Sequence, residues 1–503
     1  MKRFAAFILA AGMLLCLGCA DGNVISCPAG DGSARGNAAP TQLNKVENVK
    51  VLSFEKWSEQ REAMGVDEST YGAMAAFAAK SAGKVLNGTD KNANYSPFSL
   101  YYALAMAAQG AKGKTAEEML NLLGMSDANT LAEQCGNMYR MIASRERDGK
   151  AELMLADSLW LSDNYDGAKV NYNQDFLDVC AKQFYAEVFG ADFTGQKTAD
   201  AMTKWIKEKT NGTLAPEMEL DPETMLSIIN TLHLKDEWTD RFDKNSTADG
   251  TFTKANGEKV TCSFMNAIKN QGFMRGENYT ASMASMKNFG SMWFILPDEG
   301  VSTDDILSSS ETLEEILTGE TNGYGMVTFS IPKFEFTSKF NLKEALKSLG
   351  MEKAFDSYAD FSGISYRAAF ISAVKQETYI AIDEVGVEAS AFTQIDYCGA
   401  GMPQDNAELI LDRPFIYIIK GSAPLFMGVI NDPSAICAKT EYLSECRLPH
   451  TWAGGFFAPF CIYAPECIKI HNIRRICTNN NENVQNYAKI WLTKVFLCSI
   501  LSP

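Results

Sequence analysis

The chain has 503 residues, of which 46% are hydrophobic and 21% charged, and its formal net charge is −16. That balance belongs to a folded protein with a sizeable core and excludes a disordered chain. No basic stripe interrupts the acidic sequence, which excludes nucleic acid and other polyanions as partners, because phosphate binding needs clustered positive charge.

Length alone admits several domains of about 150 residues or one large fold. The first residues, MKRFAAFILAAGMLLCLGCADGN, carry two basic residues, an apolar run, then Gly18 and Cys19. The run is too short for a spanning helix and reads as an export leader over residues 1–18. LCLGC resembles a bacterial lipobox, in which Cys19 is expected to become the lipidated first residue of the mature chain. Cys16 is an unusual residue at its outer position, and simple secretion with cleavage elsewhere is the alternative. The expected location is the cell surface, the periplasm or the medium, with membrane contact only through a lipid anchor. Residues 19–49, rich in Gly, Ala, Asp and Pro, read as a flexible tether.

From about residue 50, helical and strand-like patterns alternate. TYGAMAAFAAKSAGKVL (70–86) and SLYYALAMAAQGA (99–111) place apolar residues at helical spacing, the second capped by Ser96 with Pro97 in its first turn. TAEEMLNLLG (115–124) predicts a short helix with Thr115 as N-cap, Glu118 three residues on and Gly124 at its end. DAMTKWIKEKTNGTL (200–214) predicts another, closing at Asn211 and Gly212. Strand patterns then dominate: MLSIINTLHL, SMWFILP, MVTFSIPKFEF, ETYIAID, AELILD, FIYIIK and APLFMGVI. Helices first and strands later predict an α+β protein without internal repeats.

Catalytic and metal signatures are missing from this pattern. The chain has three histidines, of which His233 sits within a strand and reads as structural, while His450 and His471 lie near the C-terminus. No GxSxG elbow, phosphate loop, dinucleotide fingerprint or HExxH helix occurs. Cys461, Cys467, His471 and Cys477 have spacings that fit no common zinc site. The expectation is a protein that is not an enzyme and needs neither metal nor cofactor.

Of 13 cysteines, only Cys135, Cys180, Cys262 and Cys398 fall between residues 50 and 433, and a large core does not need them as staples. Six more crowd residues 434–503, where 7 Lys and Arg face 4 Glu and no Asp, opposite in sign to the rest. That tail is different in kind: either an artefact of frameshift or read-through, or a cysteine-rich appendage.

One stretch contradicts its surroundings. In AIDEVGVEASAFT (381–393) the alternation from Val387 puts Val387, Ala389, Ala391, Thr393 and Ile395 on one small, largely apolar face. That is half of a buried strand. Yet Gly386 precedes it and the loop-like CGAGMPQDNAE (398–408) follows.

Several segments, in order, resemble the serpin family: NYSPFSLYYALAMAAQGAKGKTAEEM, LADSLWL, IINTLHLKDEWTDRF, FILPDEG, IPKFEFTSKFNLKEALKSLGMEKAF with ADFSGIS, DRPFIYII and APLFMGVINDP. They cover roughly residues 50–433. The resemblance implies one large domain with three β-sheets, eight or nine helices and an exposed reactive loop. It implies a suicide-substrate inhibitor of serine, and also of cysteine, endopeptidases, acting as a monomer. After cleavage the loop would insert as an extra strand in the central sheet. On this resemblance Glu384, Gly386, Val387, Glu388, Ala389, Ser390, Ala391 and Thr393 form the hinge, with Gly386 the pivot. Ser96, Ser99, Thr203 and Gln376 mark the region where the sheet opens; Thr203 stands where the family has asparagine and Gln376 where it often has histidine. Ala400 lies fourteen residues past Gly386, which puts the reactive bond at Ala400–Gly401, whereas counting back from DRPF points to Met402–Pro403, a poor substrate bond. A small residue at the cut implies an elastase-like or subtilisin-like target, or a papain-like one. The alternative is a non-inhibitory member, a surface binding protein that keeps the fold without the switch.

Overall fold

The computed structural model describes residues 65–143, 151–162, 164–165, 167–386 and 405–434, together with the backbone of 8–20. The chain divides into a unit Met1–Ala438 and a second, Lys439–Pro503, which lies outside the described residues.

The N-terminal half contains β1 (Ile8–Ala20), α1 (Glu68–Val85), β2 (Ala93–Tyr95), α2 (Pro97–Gly110), α3 (Gly113–Leu122), α4 (Ala128–Ala143), β3 (Glu152–Ser162), a short hairpin of β4 (Asn164–Tyr165) and β5 (Ala168–Lys169), α5 (Gln174–Gln183), β6 (Glu187–Ala191), α6 (Gln196–Lys209) and β7 (Thr224–Lys235). Then come β8 (Ala248–Thr253), β9 (Lys259–Arg275), β10 (Tyr279–Ser285), β11 (Ser291–Pro297), α7 (Thr303–Leu307), α8 (Ser310–Thr318), β12 (Gly323–Pro332), β13 (Phe334–Asn341), α9 (Lys343–Ser348), β14 (Ala368–Ile382), β15 (Asp405–Ile410), β16 (Phe415–Lys420) and β17 (Pro424–Ile430). This is the expected α+β class.

One sheet has six strands in the order β13-β14-β1-β7-β3-β6; the other follows β15-β12-β9-β10-β11-β16-β17-β2, with β8 paired to β9. Strand β1 runs antiparallel to both neighbours, Ile8 lying opposite Ala381 of β14 and Lys235 of β7. Its partners therefore define a gap between β7 and β14 that is one strand wide.

The six-stranded sheet buries both faces. Leu155, Leu159, Ile228 and Leu232 point to the main core beneath α2. Trp160 and Ile229, out of phase with them by one residue, pack with Met202, Trp205 and Ile206 of α6 on the other face. Helix α2 is apolar on every side, as a helix enclosed by a large core must be, and Tyr102, Leu104, Ala105 and Met106 are wholly buried. Its start is built as read from the sequence: the Ser96 side chain accepts from the Ser99 N–H at 3.1 Å, Pro97 opens the first turn, and the Ser96 hydroxyl donates to the Leu425 carbonyl at 2.7 Å.

Helix α3 departs from expectation. It begins at Gly113 with Lys112 as N-cap, not at Thr115. The Thr115 hydroxyl instead accepts from the Asp360 N–H at 2.9 Å, and Glu118 accepts from the Glu352 and Lys353 N–H groups at 2.9 and 2.7 Å. Tertiary partners claimed both groups that a local capping box would have used. The order of helices then strands is also too simple: β2 and β3 come early, and α7, α8 and α9 lie among the later strands. Helix α6 ends as read, with Asn211 at φ 49° and Gly212 at φ 81° just beyond it.

Replacing Ser96 by alanine removes both the cap and the bond to β17. The expected cost is about 1–2 kcal/mol, read as a lowered midpoint of thermal unfolding; an unchanged midpoint would show that the cap carries no stability.

Candidate functional site

The candidate site is the end of β14 and the gap beside it. Beyond Ile382 the chain makes a tight turn, Asp383 to Gly386, held on three sides. The Trp238 indole N–H donates to the Asp383 carbonyl at 2.8 Å, the Phe242 N–H to the Glu384 carbonyl at 3.0 Å, and the Trp238 N–H to the Val385 carbonyl at 3.4 Å. Gly386 has φ 72°, and a Cβ on it would lie 2.5 Å from the Trp238 nitrogen. Both the left-handed conformation and the close backbone approach demand glycine there.

Glu384 is buried, and its carboxylate accepts from Lys333 at 3.1 and 3.2 Å and from the Thr247 hydroxyl at 2.9 Å. Burial works against its charge, but the bonds from its own N–H, Lys333 and Thr247 outweigh it and hold the carboxyl below its usual range. The adjacent Asp383 goes the other way. Burial pushes it up to about 6, with the Glu384 charge adding to the rise and the bond from the Val385 N–H opposing it. Val387, Glu388, Ala389, Ser390, Ala391, Thr393, Ala400 and Gly401 lie outside the described residues.

The N-terminus of α2 bridges the two walls of the gap. From β14, Gln376 makes two bonds to Ser96: its Oε1 accepts from the N–H and its Nε2 donates to the carbonyl, both at 3.0 Å. On the other wall, the Ser99 hydroxyl donates to Oδ1 of Asn230 on β7, and Asn230 donates to Asp157 Oδ1 of β3 at 2.7 Å. Thr378 completes the β14 side by donating to the Asn94 carbonyl at 2.6 Å. Thus Ser96, Ser99 and Gln376 come together as the sequence suggested. Thr203 does not join them: α6 covers the opposite sheet face, and the Thr203 hydroxyl donates to the Pro216 carbonyl at 2.7 Å. It ties down the connection from α6 to β7. Beneath that connection a cavity of about 420 Å³ reaches Ile229 of β7 and Lys375 and Glu377 of β14.

Cys19 falls within β1, paired along the backbone with Ala369. His233 is wholly buried with Nε2 3.2 Å from Glu152 Oε2, and burial takes it down to about 4 against the pull of that carboxylate. It is a neutral structural histidine, as read. Cys135, Cys180 and Cys262 carry free thiols.

Trp238, Thr247, Lys333, Asn230 and Asp157 belong to the site and were not picked out from the sequence. Asp157 is the most consequential. It is buried beside Asn230, and its Oδ2 has no hydrogen-bond partner among the described residues. Burial pushes it up to about 7 against the Asn230 bond.

Two outcomes follow from these carboxyls. Because the folded-state value of Asp157 is raised, its contribution is complete below about pH 4 and is lost as pH rises to about 7, by an upper bound of about 4 kcal/mol. Asp157→Asn should therefore flatten the decline in unfolding midpoint across that window; an unchanged slope would remove Asp157 as its source. Glu384→Ala leaves Lys333 without its partner and unfastens the turn, costing about 1–3 kcal/mol. The midpoint of thermal unfolding should fall accordingly, and an unchanged midpoint would refute the role of the ion pair.

Comparison with known proteins places this architecture. Residues 72–433 match the model of the family described as serpin (serine protease inhibitor). A serpin-like protein of Methanosarcina acetivorans is 29% identical over 374 residues, covering 69% of this chain and 83% of its own. A serine protease inhibitor of Cyanea capillata is 29% identical, covering 70% and 95%. Among solved structures, the thermophilic serpin tengpin in its native state superposes with a TM-score of 0.64 at 29% identity, covering 73% of this chain and 95% of that one. The described strands, the glycine-anchored turn and the matched residues together lead to one assignment: the chain belongs to the serpin family of serine protease inhibitors.

Proposed function

We propose that this chain is a suicide-substrate inhibitor of serine endopeptidases, and of papain-like cysteine endopeptidases that form an equivalent acyl-enzyme. The observation that carries this reading is the position of the Asp383–Gly386 turn at the mouth of a gap whose two walls take a strand antiparallel to both. A chain that reverses direction at Gly386 would enter that gap with the required polarity. The strand lying there is 13 residues long, and the loop from Val387 to Ala400 is one residue longer. The leader reading of residues 1–18 supplies the vacancy: export would remove the leader and free most of the place that β1 takes. Cys19 would then be the lipid-bearing first residue.

The mechanism follows from ordinary energetics. The protease nucleophile attacks the Ala400 carbonyl, the bond to Gly401 breaks, and the Gly401 amine departs as a new N-terminus while Ala400 stays esterified to the enzyme. The freed segment gains backbone bonds worth about 1 kcal/mol each and buries apolar area at about 25 cal/mol per Å². The uncleaved form is therefore held kinetically rather than by equilibrium. A register that sets Val387 beside Ile380 puts Val387, Ala389, Ala391 and Thr393 on the face shared by Ile380, Thr378 and Gln376, under α2. Small side chains pass there; a charge would stall. The esterified enzyme is carried along, and displacing its oxyanion hole by more than about 0.5 Å arrests deacylation. Ala400 suits a shallow specificity pocket of the elastase or subtilisin kind.

Incubation of the exported protein with an elastase should give a covalent complex that survives SDS. Clean cleavage without complex would reject inhibition and favour a non-inhibitory binding role. Ala389→Glu should lower the complex fraction at least tenfold while cleaved chain accumulates; undiminished complex would refute insertion at that position.

A further inference from the structure

Five large apolar side chains stand well exposed among the described residues: Ile268, Tyr324, Met326, Tyr358 and Tyr366. Scattered singly they would mean nothing. Three of them share one face. On β12, Val327, Phe329 and Ile331 are buried, so Tyr324, Met326 and Thr328 point outward. The register sets Met326 beside Asn270 and Thr328 beside Ile268 on β9, and Met326 beside Asn406 and Thr328 beside Glu408 on β15. Residues directly opposite share a face. The outward surface of β9, β12 and β15 is therefore Tyr, Met and Ile set among asparagines and threonine, with Glu408 its one charge in these rows. The Arg275–Asp405 ion pair, neutral as a pair, borders these rows. Aromatic and Met enrichment with few charges is the composition of an interface core.

The topology says which partner reaches it. Strand β15 is the direct continuation of the reactive loop: Asp405 comes four residues after Gly401 and pairs with Gly325, and Asn406 pairs with Met326. Four extended residues span at most about 14 Å. A protease domain of about 200 residues is roughly 40 Å across. An enzyme holding the loop at Ala400–Gly401 is tethered too closely to avoid this edge of the sheet.

We propose that the outward face of β9, β12 and β15, centred on Ile268, Tyr324 and Met326, is a second docking surface for the attacking endopeptidase, engaged while the enzyme holds the loop. It takes an apolar, weakly charged area beside the enzyme's cleft. This rests on the inhibitory reading above. The surface acts on encounter, so it speeds association and leaves the later competition between insertion and deacylation unchanged. Once insertion carries the enzyme away, the contact is broken.

The test compares the exported protein with an Ile268→Thr, Tyr324→Thr, Met326→Thr variant, using a chymotrypsin-fold elastase. The expected result is a second-order rate constant about tenfold lower, with the same number of inhibitor molecules consumed per enzyme inactivated. An unchanged rate overturns the proposal. So does sedimentation showing a dimer that the variant loses, which would assign the face to a second copy of this chain. If the unmodified protein is cut without forming a complex, the inhibitory reading fails by itself. The docking surface is then judged from kcat/KM for loop cleavage, about tenfold lower in the variant if the surface stands and equal if it falls. Should the triple variant unfold at a lower temperature, Met326→Glu alone provides the same comparison.

Discussion

The clasp at the start of α2 is the constraint on which the rest depends. Gln376 grips the Ser96 main chain from β14, and Ser99 reaches Asn230 on β7, so one helix end fastens both walls of the gap. Buried backbone groups that lose a partner cost more than the bond itself is worth, because water cannot replace it. The clasp therefore resists disorder of the sheet while leaving the gap one strand wide. Its tie to β17 through the Ser96 hydroxyl couples this sheet to the nine-stranded one.

At the other end of β14 the structure holds a firm turn. Three bonds to the main-chain carbonyls of Asp383, Glu384 and Val385, one from the Trp238 indole and two from the Trp238 and Phe242 backbone N–H groups, hold the turn up to Gly386, and Glu384 is locked to Lys333 and Thr247. Asp383 and Glu384 are neighbours in sequence with opposite shifts, since one has cationic and hydroxyl donors and the other a single N–H against burial. Rigidity up to Gly386 defines where the chain leaves β14.

Much was legible in the residues themselves. Ser96 with Pro97 announces a helix start by local chemistry, and Asn211 and Gly212 announce an end, because only a few residues tolerate positive φ. Strand-like apolar patterns marked β7, β11, β14 and β15. Where local and tertiary demands diverged, the reading failed. Thr115 and Glu118 have the right spacing for a capping box, yet distant N–H groups at Asp360, Glu352 and Lys353 claim them. Helices α4 and α5 and the long strand β9 went unread: polar residues break their apolar pattern, and burial there is decided by what packs on top. Thr203 was assigned to the opening cluster by its place in a motif. Helix α6, which carries it, packs on the other face of the sheet from α2.

By itself, then, the sequence determined the α+β class, the alternating residue pattern at Val387 to Thr393 set after a glycine, and the serine, proline and glycine signals at element ends, because these depend on backbone sterics and side-chain period. Only the tertiary structure decided that Gly386 must clear the Trp238 nitrogen, that Lys333 and Thr247 hold Glu384, that Asp157 is buried beside Asn230, and that Tyr324, Met326 and Ile268 form one surface. Each of these joins residues far apart in the chain. Burial and charge partners are properties of the fold's neighbours, and no local pattern encodes them.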